Sequence, residues 1–329
     1  MTVLSTAPRH PFVRETREGD VRVVRVRAWP PGRDYYLAPE VVRIIRRGET
    51  DVVHCQGYHT LVAPLVMLAA LSARIPYVVT LHSGGHSSRL RRALRPLQAR
   101  LLTPLLRRAA QVIAGSRFEA ELFARRTGMP VSAFAVIPSG VDLPVHGPEP
   151  SPSRPPLVLS IGRVESYKGH HRVLQALPHV ARARPGTRLR VVGTGPYAPE
   201  LRRLAERLGV AHLLDIAPVP AERRDEMGRL LRHAGCVAML SEYESQGLAI
   251  HEALGLGRPL VVSNNSALGD LARHANVRMV DSQTTSEEIA AAIIELLDAP
   301  PVAPPPVFTW DQCAQALLGV YLDALARPL

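Results

Sequence analysis

Two carboxylates stand eight positions apart around a glycine in the segment Ser241–Gly257. This segment lies between two short apolar runs, so its pattern predicts a strand, a loop, a helix and a second strand. Glu244 falls in the loop, Gly247 at the start of the helix and Glu252 inside it. The N-terminus of a helix offers free N–H groups and a positive dipole end that can hold a phosphate. Because carboxylates repel phosphate, we expect both acids to bind sugar hydroxyls beside that anion site.

Two cations follow another predicted strand, at Gly162-Arg163-Val-Glu-Ser-Tyr-Lys168-Gly169. Ligands of doubly wound sheets bind outside the carboxyl ends of the strands. An arginine fork and a lysine point charge at such a position suit a diphosphate. Lys168 is the only lysine in the chain, which favours a role that a guanidinium cannot fill. The alternative is an ordinary solvated loop in which the lysine has survived by chance.

The size and composition of the chain favour a two-domain cytosolic protein. Its 329 residues, 46% of them hydrophobic, are enough for two domains of ordinary size. We expect neither a signal peptide nor a membrane-spanning segment, because the longest apolar stretch, 61–81, is broken by polar residues and a proline. The cysteines are odd in number and far apart, which indicates reduced core residues at Cys55, Cys236 and Cys313.

Short β-branched runs alternate with helical patterns along most of the chain, which predicts an α/β fold with parallel sheets covered on both faces. Two proline-rich segments interrupt the alternation and are typical of extended linkers. We therefore predict two Rossmann-like, doubly wound domains that face each other across a cleft, with a closing helix that crosses back to the first domain. The predicted segments are a first domain at 1–143, a linker at 144–156, a second domain at 157–298, a second linker at 299–308 and the closing helix at 309–329.

The motifs of the second domain resemble the donor domain of a family 4 glycosyltransferase, a retaining enzyme of GT-B fold. That family's pattern combines Gly-Arg-x4-Lys-Gly, then Gly-x-Gly-Pro, then Ser-x2-Glu-x2-Gly-Leu-x3-Glu-Ala-x3-Gly-x-Pro. A Gly-x-Gly pair alone is a weak signal, but the three patterns in this order and spacing are specific. The matching residues are Gly162, Arg163, Lys168, Gly169, Gly193, Gly195, Pro196, Ser241, Glu244, Gly247, Leu248, Glu252, Ala253, Gly257 and Pro259.

The resemblance implies a role for each charged residue. Arg163 and Lys168 would hold the donor diphosphate and stabilise the leaving group. Glu252 would accept the ribose hydroxyls of the nucleotide, and Glu244 would bind the transferred sugar close to its anomeric carbon. Together with His82 of the first domain, described below, Arg163, Lys168 and Glu244 form the predicted catalytic set.

The resemblance also implies that backbone groups of the same loops bind the donor. These positions are either glycines or the first residues of a predicted helix, namely Gly162, Gly193, Gly195, Gly247, Leu248 and Ala249. One departure from the family is Gln246, where an aromatic residue is common. We expect this substitution to alter packing and to leave the backbone role intact.

The first domain resembles the family less completely. Asp51-Val-Val-His54 and Thr80-Leu-His82 match two of its strand ends, and 137–142 matches its hinge with Ser139 for the usual asparagine. The resemblance implies that His82 projects into the interdomain cleft and contacts the donor sugar, while a buried structural histidine is the alternative. For His54 we expect a structural or supporting role.

The family also begins with a strand, a Gly-Gly loop and a long helix that have no counterpart before Thr2–Thr6. Such a unit spans roughly thirty residues. We expect either a misassigned start or a truncated copy, and in both cases a first domain that is weakened or patched.

A strongly basic helical pattern lies within the first domain. Seven arginines and no acid fall between residues 89 and 108 of a chain with a net charge of +11. Leucines recur among them at three- and four-residue spacing, at Leu90, Leu94, Leu97, Leu101 and Leu105. The pattern favours attraction to anionic lipid headgroups or to a phosphorylated acceptor. The alternative is a solvated face over a buried leucine stripe, and nucleic acid is disfavoured because stacking aromatics are scarce.

The sequence therefore predicts a hexosyltransferase that moves a sugar, with retention, from a UDP or GDP sugar to a hydroxyl of a glycan or lipid-linked acceptor. We expect no metal, since no Asp-x-Asp pair ends a strand, and no cofactor beyond the nucleotide sugar. The predicted location is the cytoplasm, with a peripheral place at the inner face of the plasma membrane. The competing hypothesis is a catalytically impaired nucleotide-sugar-binding or scaffold protein that lacks the first strand-helix unit and its glycine loop.

Overall fold

The structure is a computed structural model that describes residues 1–7, 14–30, 36–47, 49–58, 60–84, 89–141 and 153–326. The side chains of residues 89–93 are not included in this description. Most of the predicted first linker, residues 144–152, and the end of the predicted closing helix, residues 327–329, lie outside the described residues. The rest of the chain divides into two compact units.

The first unit comprises residues 1–83, 93–138 and 314–329. Its early part contains the strands β1 (Thr2–Ala7), β2 (Glu15–Glu18) and β3 (Val21–Arg27), which form a sheet of order β1–β3–β2. β1 is parallel and β2 antiparallel to β3. The helix α1 (Glu40–Arg46) follows.

A separate parallel sheet forms the remainder of this unit. Its strands are β4 (Val53–Gln56), β5 (Tyr77–Thr80), β6 (Gln111–Ala114) and β7 (Phe134–Val136), in that spatial order. The helices α2 (Val62–Ala73), α3 (Arg89–Leu106) and α4 (Arg117–Thr127) connect them. Every residue of β5 is buried, as expected for a strand covered on both faces. Within the described residues no ladder joins β1 to β4, and the strands of the first unit form two separate sheets.

The second unit comprises residues 84–92 and 139–313 and contains one six-stranded parallel sheet. Its strands are β8 (Leu157–Ile161), β9 (Arg188–Val192), β10 (Leu214–Ile216), β11 (Cys236–Met239), β12 (Leu260–Ser263) and β13 (Val277–Val280). The spatial order is β10–β9–β8–β11–β12–β13, so the chain reverses its direction across the sheet between β8 and β11. A crevice at such a switch point is where open α/β sheets bind their ligands.

Helices cover both faces of this sheet, with apolar residues packed between helix and sheet in two clusters. The helices are α5 (His170–Ala183), α6 (Ala198–Arg207), α7 (Arg224–His233), α8 (Leu248–Gly255) and α9 (Ser286–Asp298). The α/β fold with parallel sheets that the sequence predicted is confirmed in this unit.

The closing helix, α10 (Trp310–Ala326), belongs to both units, because residues up to Cys313 group with the second and residues from Ala314 with the first. In the first unit, its buried residue Ala324 packs with Val78 and Ile113. All three cysteines are buried free thiols, and burial raises the pKa of Cys55 and of Cys236 to about 12.

Candidate nucleotide-sugar site

The loop after β8 lies at the switch point of the six-stranded sheet, and two glycines allow it to meet the loop after β9. Gly193 has a φ of 159° and lies so close to Gly162 that a Cβ on it would collide with the Gly162 carbonyl oxygen. The Tyr167 carbonyl accepts a 2.7 Å hydrogen bond from the N–H of Glu242 in the loop after β11. The three loops therefore form one continuous backbone surface at the carboxyl edge of the sheet, where the sequence predicted a donor site.

Lys168 and Glu244 form an ion pair in this surface, with Nζ 2.5 Å from Oε1. Both side chains are largely buried, with 13% and 11% of their surface exposed. The Ser241 hydroxyl donates a 2.8 Å hydrogen bond to the same Glu244 oxygen. Two predicted site residues from loops 76 positions apart thus meet directly. The sequence placed them in one pocket but did not predict that each would be the other's partner.

Arg163 is the more exposed cation of the loop. Its guanidinium donates to the Tyr167 hydroxyl at 2.5 Å and pairs with Glu165 at 2.6 Å, while 60% of the side chain stays exposed. Burial raises the pKa of Tyr167, and the neighbouring guanidinium partly offsets that rise. Tyr167 therefore holds Arg163 in place and leaves N–H donors of the fork available to an anion.

A buried histidine that was not among the predicted site residues supports this loop from the side of the sheet. His170 begins α5, and its Nδ1 lies 2.7 Å from the Ser160 hydroxyl on β8. Its Nε2 is 3.2 Å from the Arg163 carbonyl, which can only accept, so Nε2 carries the proton and Nδ1 accepts from Ser160. Burial lowers the pKa of His170 to about 4. In the sequence, the position of His170 directly after Gly169 is the signal that could have indicated this supporting role.

The N-terminus of α8 forms the next part of the surface. Gly247 precedes the helix with a φ of 78°, and a Cβ there would lie 2.6 Å from Leu268. Since the first N–H groups of an α-helix have no intrahelical acceptor, those of Leu248 and Ala249 are offered to a ligand. The predicted strand-loop-helix arrangement of this segment matches the structure.

Glu252 lies one turn into α8 and carries a partner that sequence reasoning missed. Its side chain is 4% exposed and accepts a 2.7 Å hydrogen bond from Arg224, at the start of α7, whose side chain is 48% exposed. No spacing rule links these residues, because the contact joins two helices 28 positions apart. The carboxylate predicted to bind ribose is thus held beside a guanidinium.

Two of the residues that depart from the family pattern, Gln246 and Ser139, contact each other. The Gln246 amide donates to the Ser139 carbonyl at 2.8 Å and accepts from the Ser139 N–H at 2.9 Å. The Gln246 side chain thereby satisfies both the backbone N–H and the backbone carbonyl of Ser139, as a neighbouring strand would do.

His82 lies in the first unit, two residues after the end of β5, whereas the other predicted catalytic residues lie in the second. It is an exposed residue between buried Leu81 and Ser83 and has a φ of 44°. Its Nε2 donates to Gln56 at 2.5 Å. Partial burial of the ring lowers the pKa of His82, and the carboxylate of Glu119 partly counters this effect.

His54 is the second residue of the adjacent strand β4. Its ring nitrogens lie 2.6 Å from the Tyr321 hydroxyl and 2.7 Å from the Thr80 hydroxyl. Burial is the main cause that lowers the pKa of His54 to about 4, and the nearby His82 lowers it further. His54 therefore joins α10 to the sheet as a neutral ring.

The helix α3 exposes leucines that its pattern would place against the core. Leu94, Leu97 and Leu101 are 47%, 53% and 71% exposed, whereas Ala99, Leu102 and Leu106 are buried. The alternative of a buried leucine stripe under a solvated face is therefore wrong for these three residues. The predicted contributions of Arg89, Leu90, Arg91 and Arg92 lie outside the described side chains.

In the described part of the chain, no three His, Cys, Asp or Glu side chains are grouped so that they could hold a metal ion. None of the helices among the described residues combines the length and the apolar character needed to cross a bilayer.

Two family profiles together match nearly the whole chain. The profile of the family described as Glycosyltransferase Family 4 matches residues 1–144. The profile described as Glycosyl transferases group 1 matches residues 145–304, which include the loops and helices of the surface described above.

Individual relatives and a solved structure agree with this assignment. The chain is 28% identical to a glycogen synthase of Mycobacterium tuberculosis, over 96% of this chain and 83% of that protein. It is 27% identical to a GDP-mannose-dependent alpha-(1-6)-phosphatidylinositol monomannoside mannosyltransferase of Mycolicibacterium smegmatis, over 72% of this chain and 66% of that protein. The crystal structure of HepE from Anabaena, in complex with UDP and glucose, has the same fold, with a TM-score of 0.67, 21% identity, 92% of this chain and 80% of that chain covered.

Proposed function

Because this chain belongs to the glycosyltransferases of GT-B fold, with a Family 4 half followed by a group 1 half, we propose that it transfers a hexose from a UDP or GDP sugar to a hydroxyl of a glycan or lipid-linked acceptor. The observation that carries the proposal is the Lys168–Glu244 pair, buried at the switch point beside Arg163 and the N-terminus of α8. Cations, the first N–H groups of α8 and a carboxylate belong to neighbouring loops there, and this combination supports the proposal.

In the proposed mechanism the donor diphosphate binds to Lys168, Arg163 and the first N–H groups of α8. The diphosphate replaces Glu244 as the partner of Lys168, and Glu244 then accepts hydroxyls of the transferred sugar. As the bond to the anomeric carbon breaks, negative charge grows on the departing phosphate. Fixed cations and N–H donors stabilise this charge more than they stabilise the bound substrate, which accelerates the reaction.

The remaining donor contacts in this proposal are those that the resemblance to the family implies. Glu252 accepts the ribose hydroxyls, and the glycines Gly162, Gly193 and Gly195 let backbone approach the diphosphate. His82 of the first unit contacts the donor sugar. We propose that transfer retains the anomeric configuration by front-side attack of the acceptor hydroxyl, with the departing phosphate as base and with no metal ion or cofactor required.

We further propose that the acceptor is reached at an anionic membrane surface on the cytoplasmic side, as part of polysaccharide or glycolipid synthesis. The support is the α3 face, where Leu94, Leu97 and Leu101 are exposed next to exposed Arg100. Arg125 and Arg126 line the same shallow depression as Arg100. Apolar side chains flanked by arginines suit the boundary between lipid headgroups and acyl chains. The name of the mannosyltransferase relative contains phosphatidylinositol monomannoside, a glycolipid, which agrees with this proposal.

Vesicle sedimentation tests the membrane surface. We expect the protein to sediment with vesicles that contain anionic lipid, and the double variant L97S/L101S to lose most of this binding. The matched control is L318S/L322S, which removes two leucines of similar exposure, 56% and 58%, from α10. Equal sedimentation of both double variants, or equal binding of the wild-type protein to neutral vesicles, would contradict the proposal.

Calorimetry with UDP and GDP, paired with a turnover assay over a panel of nucleotide sugars, tests the enzymatic proposal. We expect one nucleotide to bind and its sugar conjugate to be consumed. Binding without turnover of any donor would instead favour the nucleotide-sugar-binding or scaffold protein. A bound donor also raises the melting temperature by linkage, so thermal shift can rank the candidates first.

A further inference from the structure

Glu119 in the first turn of α4 is fully buried, yet the reaction proposed above does not use it. The spacing Ser116-x-x-Glu119 is that of a capping box, in which the glutamate returns to the N–H of the capping residue. Half of that box is present, because the Ser116 hydroxyl accepts a 3.2 Å hydrogen bond from the Glu119 N–H. The Glu119 carboxylate, however, binds groups outside the box.

One carboxylate oxygen accepts from the N–H of Gly115 at 2.7 Å. The other accepts from the N–H of Ser83 at 2.6 Å and from the Ser83 hydroxyl. Ser83 is 36 positions away in sequence and is itself buried. Glu119 therefore joins the start of α4 to the loop after β5 through charge-assisted hydrogen bonds, which are roughly twice as strong as neutral ones.

The residue next to Ser83 is His82, and its backbone needs such support. A φ of 44° lies in the left-handed region, which is strained for a non-glycine residue. Strained residues of this kind persist only where the surrounding structure fixes them. Here the Leu81 N–H bonds to the Ile113 carbonyl at 3.0 Å on one side, and Glu119 holds Ser83 on the other.

We propose that Glu119 is a positioning residue for His82: its carboxylate fixes Ser83 and so holds the strained His82 turn at the carboxyl end of β5. The consequence for catalysis rests on the proposed transfer reaction, in which His82 contacts the donor sugar. The structural part does not depend on that reaction. Glu119 also acts on His82 through its charge, which partly offsets the effect of burial on the pKa of that ring.

The alternative is that Glu119 only stabilises the start of α4. The chain offers a control for this alternative, because Thr285 and Glu288 form a complete capping box at the start of α9, with the same spacing. E288Q should lower stability through loss of a cap alone. E119Q should lower stability and also change the position and the pKa of His82. A glutamine must turn its NH2 group toward one of the N–H groups that now donate to the carboxylate, so one of these hydrogen bonds is lost.

The test is an NMR titration of the His82 ring in the full chain without ligand, assigned with H82Q, in the wild type, E119Q, S83A and E288Q. His54 also interacts with His82, which lowers the pKa of the His54 ring. We expect the pKa of His82 to fall in E119Q because a negative charge is lost. We expect a smaller change in S83A, which removes one donor and keeps the backbone contact, and no change in E288Q.

Turnover provides a second readout. We expect E119Q to lower kcat by about 10- to 100-fold, since a misplacement of about 1 Å costs up to this much, while E288Q keeps kcat. A folded E119Q with an unchanged His82 titration overturns the proposal, whatever its activity. If E119Q does not fold, an unchanged titration in S83A overturns it equally. If the wild type transfers no sugar, the proposed function fails, yet the titration still decides whether Glu119 positions His82.

Discussion

The substitution Lys168→Met tests the central ion pair, because it removes the charge and keeps a long unbranched side chain. It leaves Glu244 nine-tenths buried without its cation, although the Ser241 hydroxyl still donates to it. Removing one partner of a fully buried pair costs about 3–5 kcal/mol. The cost should be lower here because the hydrogen bond from Ser241 remains, and a hydrogen bond to a charged group is worth about 1.5–3 kcal/mol. We therefore expect the free energy of unfolding to fall by about 2–3 kcal/mol in the absence of ligand.

An exposed ion pair supplies the matched control. Arg203 and Glu200 are 2.6 Å apart, but their side chains are 63% and 46% exposed. R203M should change the free energy of unfolding by less than about 1 kcal/mol, since solvent screens such pairs. Urea denaturation of both variants measures the difference. The double variant K168M/E244Q should recover part of the loss, because it no longer leaves a buried charge unpaired.

Nucleotide binding then separates a structural ion pair from one that donor binding must open. K168M should weaken UDP or GDP binding by about 10- to 100-fold, the equivalent of one charge-assisted hydrogen bond. E244Q should strengthen the binding of the nucleoside diphosphate, because it frees Lys168 and removes a repelling carboxylate, while it impairs sugar transfer. Calorimetry that shows the same loss of nucleotide affinity in E244Q as in K168M would refute this reasoning.

Three further predictions concern the surroundings of the pair. E252A should weaken nucleoside diphosphate binding by about tenfold or more through loss of the ribose contact, whereas Arg224→Ala should mainly lower stability, because it leaves the buried Glu252 carboxylate without its guanidinium; calorimetry and urea denaturation distinguish these effects, and a reversed order would contradict the assignment. Gln246→Ala should lower the free energy of unfolding by about 1–2 kcal/mol, since it removes both hydrogen bonds to Ser139; an unchanged urea midpoint would show that water replaces the amide. The pKa of His170 is lowered to about 4, so the unfolded state binds its proton first and this contribution to stability is lost as pH falls from about 6.5 to 4; we expect H170N to show a shallower loss of stability than the wild type between these pH values, and equal slopes would contradict the buried neutral ring.

The local motifs of the second unit could be predicted well because each depends on short-range chemistry. Gly247 before α8 and Gly169 before α5 both have positive φ, as their places in the motifs suggest. The alternation of apolar runs and helical patterns predicted an α/β fold with a parallel sheet, and this unit has such a sheet of six strands. The family profiles then confirmed the resemblance drawn from these residues.

The contacts between distant loops could not be predicted from spacing. Arg224 meets Glu252, and the buried His170 supports the Arg163 carbonyl, only because separate strands end at one edge of the sheet. The leucines of α3 show a different limit. The period of these leucines correctly predicts a helix. It does not determine which face of the helix packs against the core, and Leu101 is exposed in the structure.

Sugar transfer by the wild type, K168M and R163A tests the central claim most directly. The assay follows nucleotide release and the anomeric configuration of the product by NMR, with UDP and GDP sugars and with glycan and lipid acceptors. We predict that the wild type forms a product with retained configuration, and that K168M lowers kcat by about 100- to 1,000-fold, as expected for loss of a group that stabilises charge in the transition state. Full activity in both variants, or an inverted product, would contradict the account.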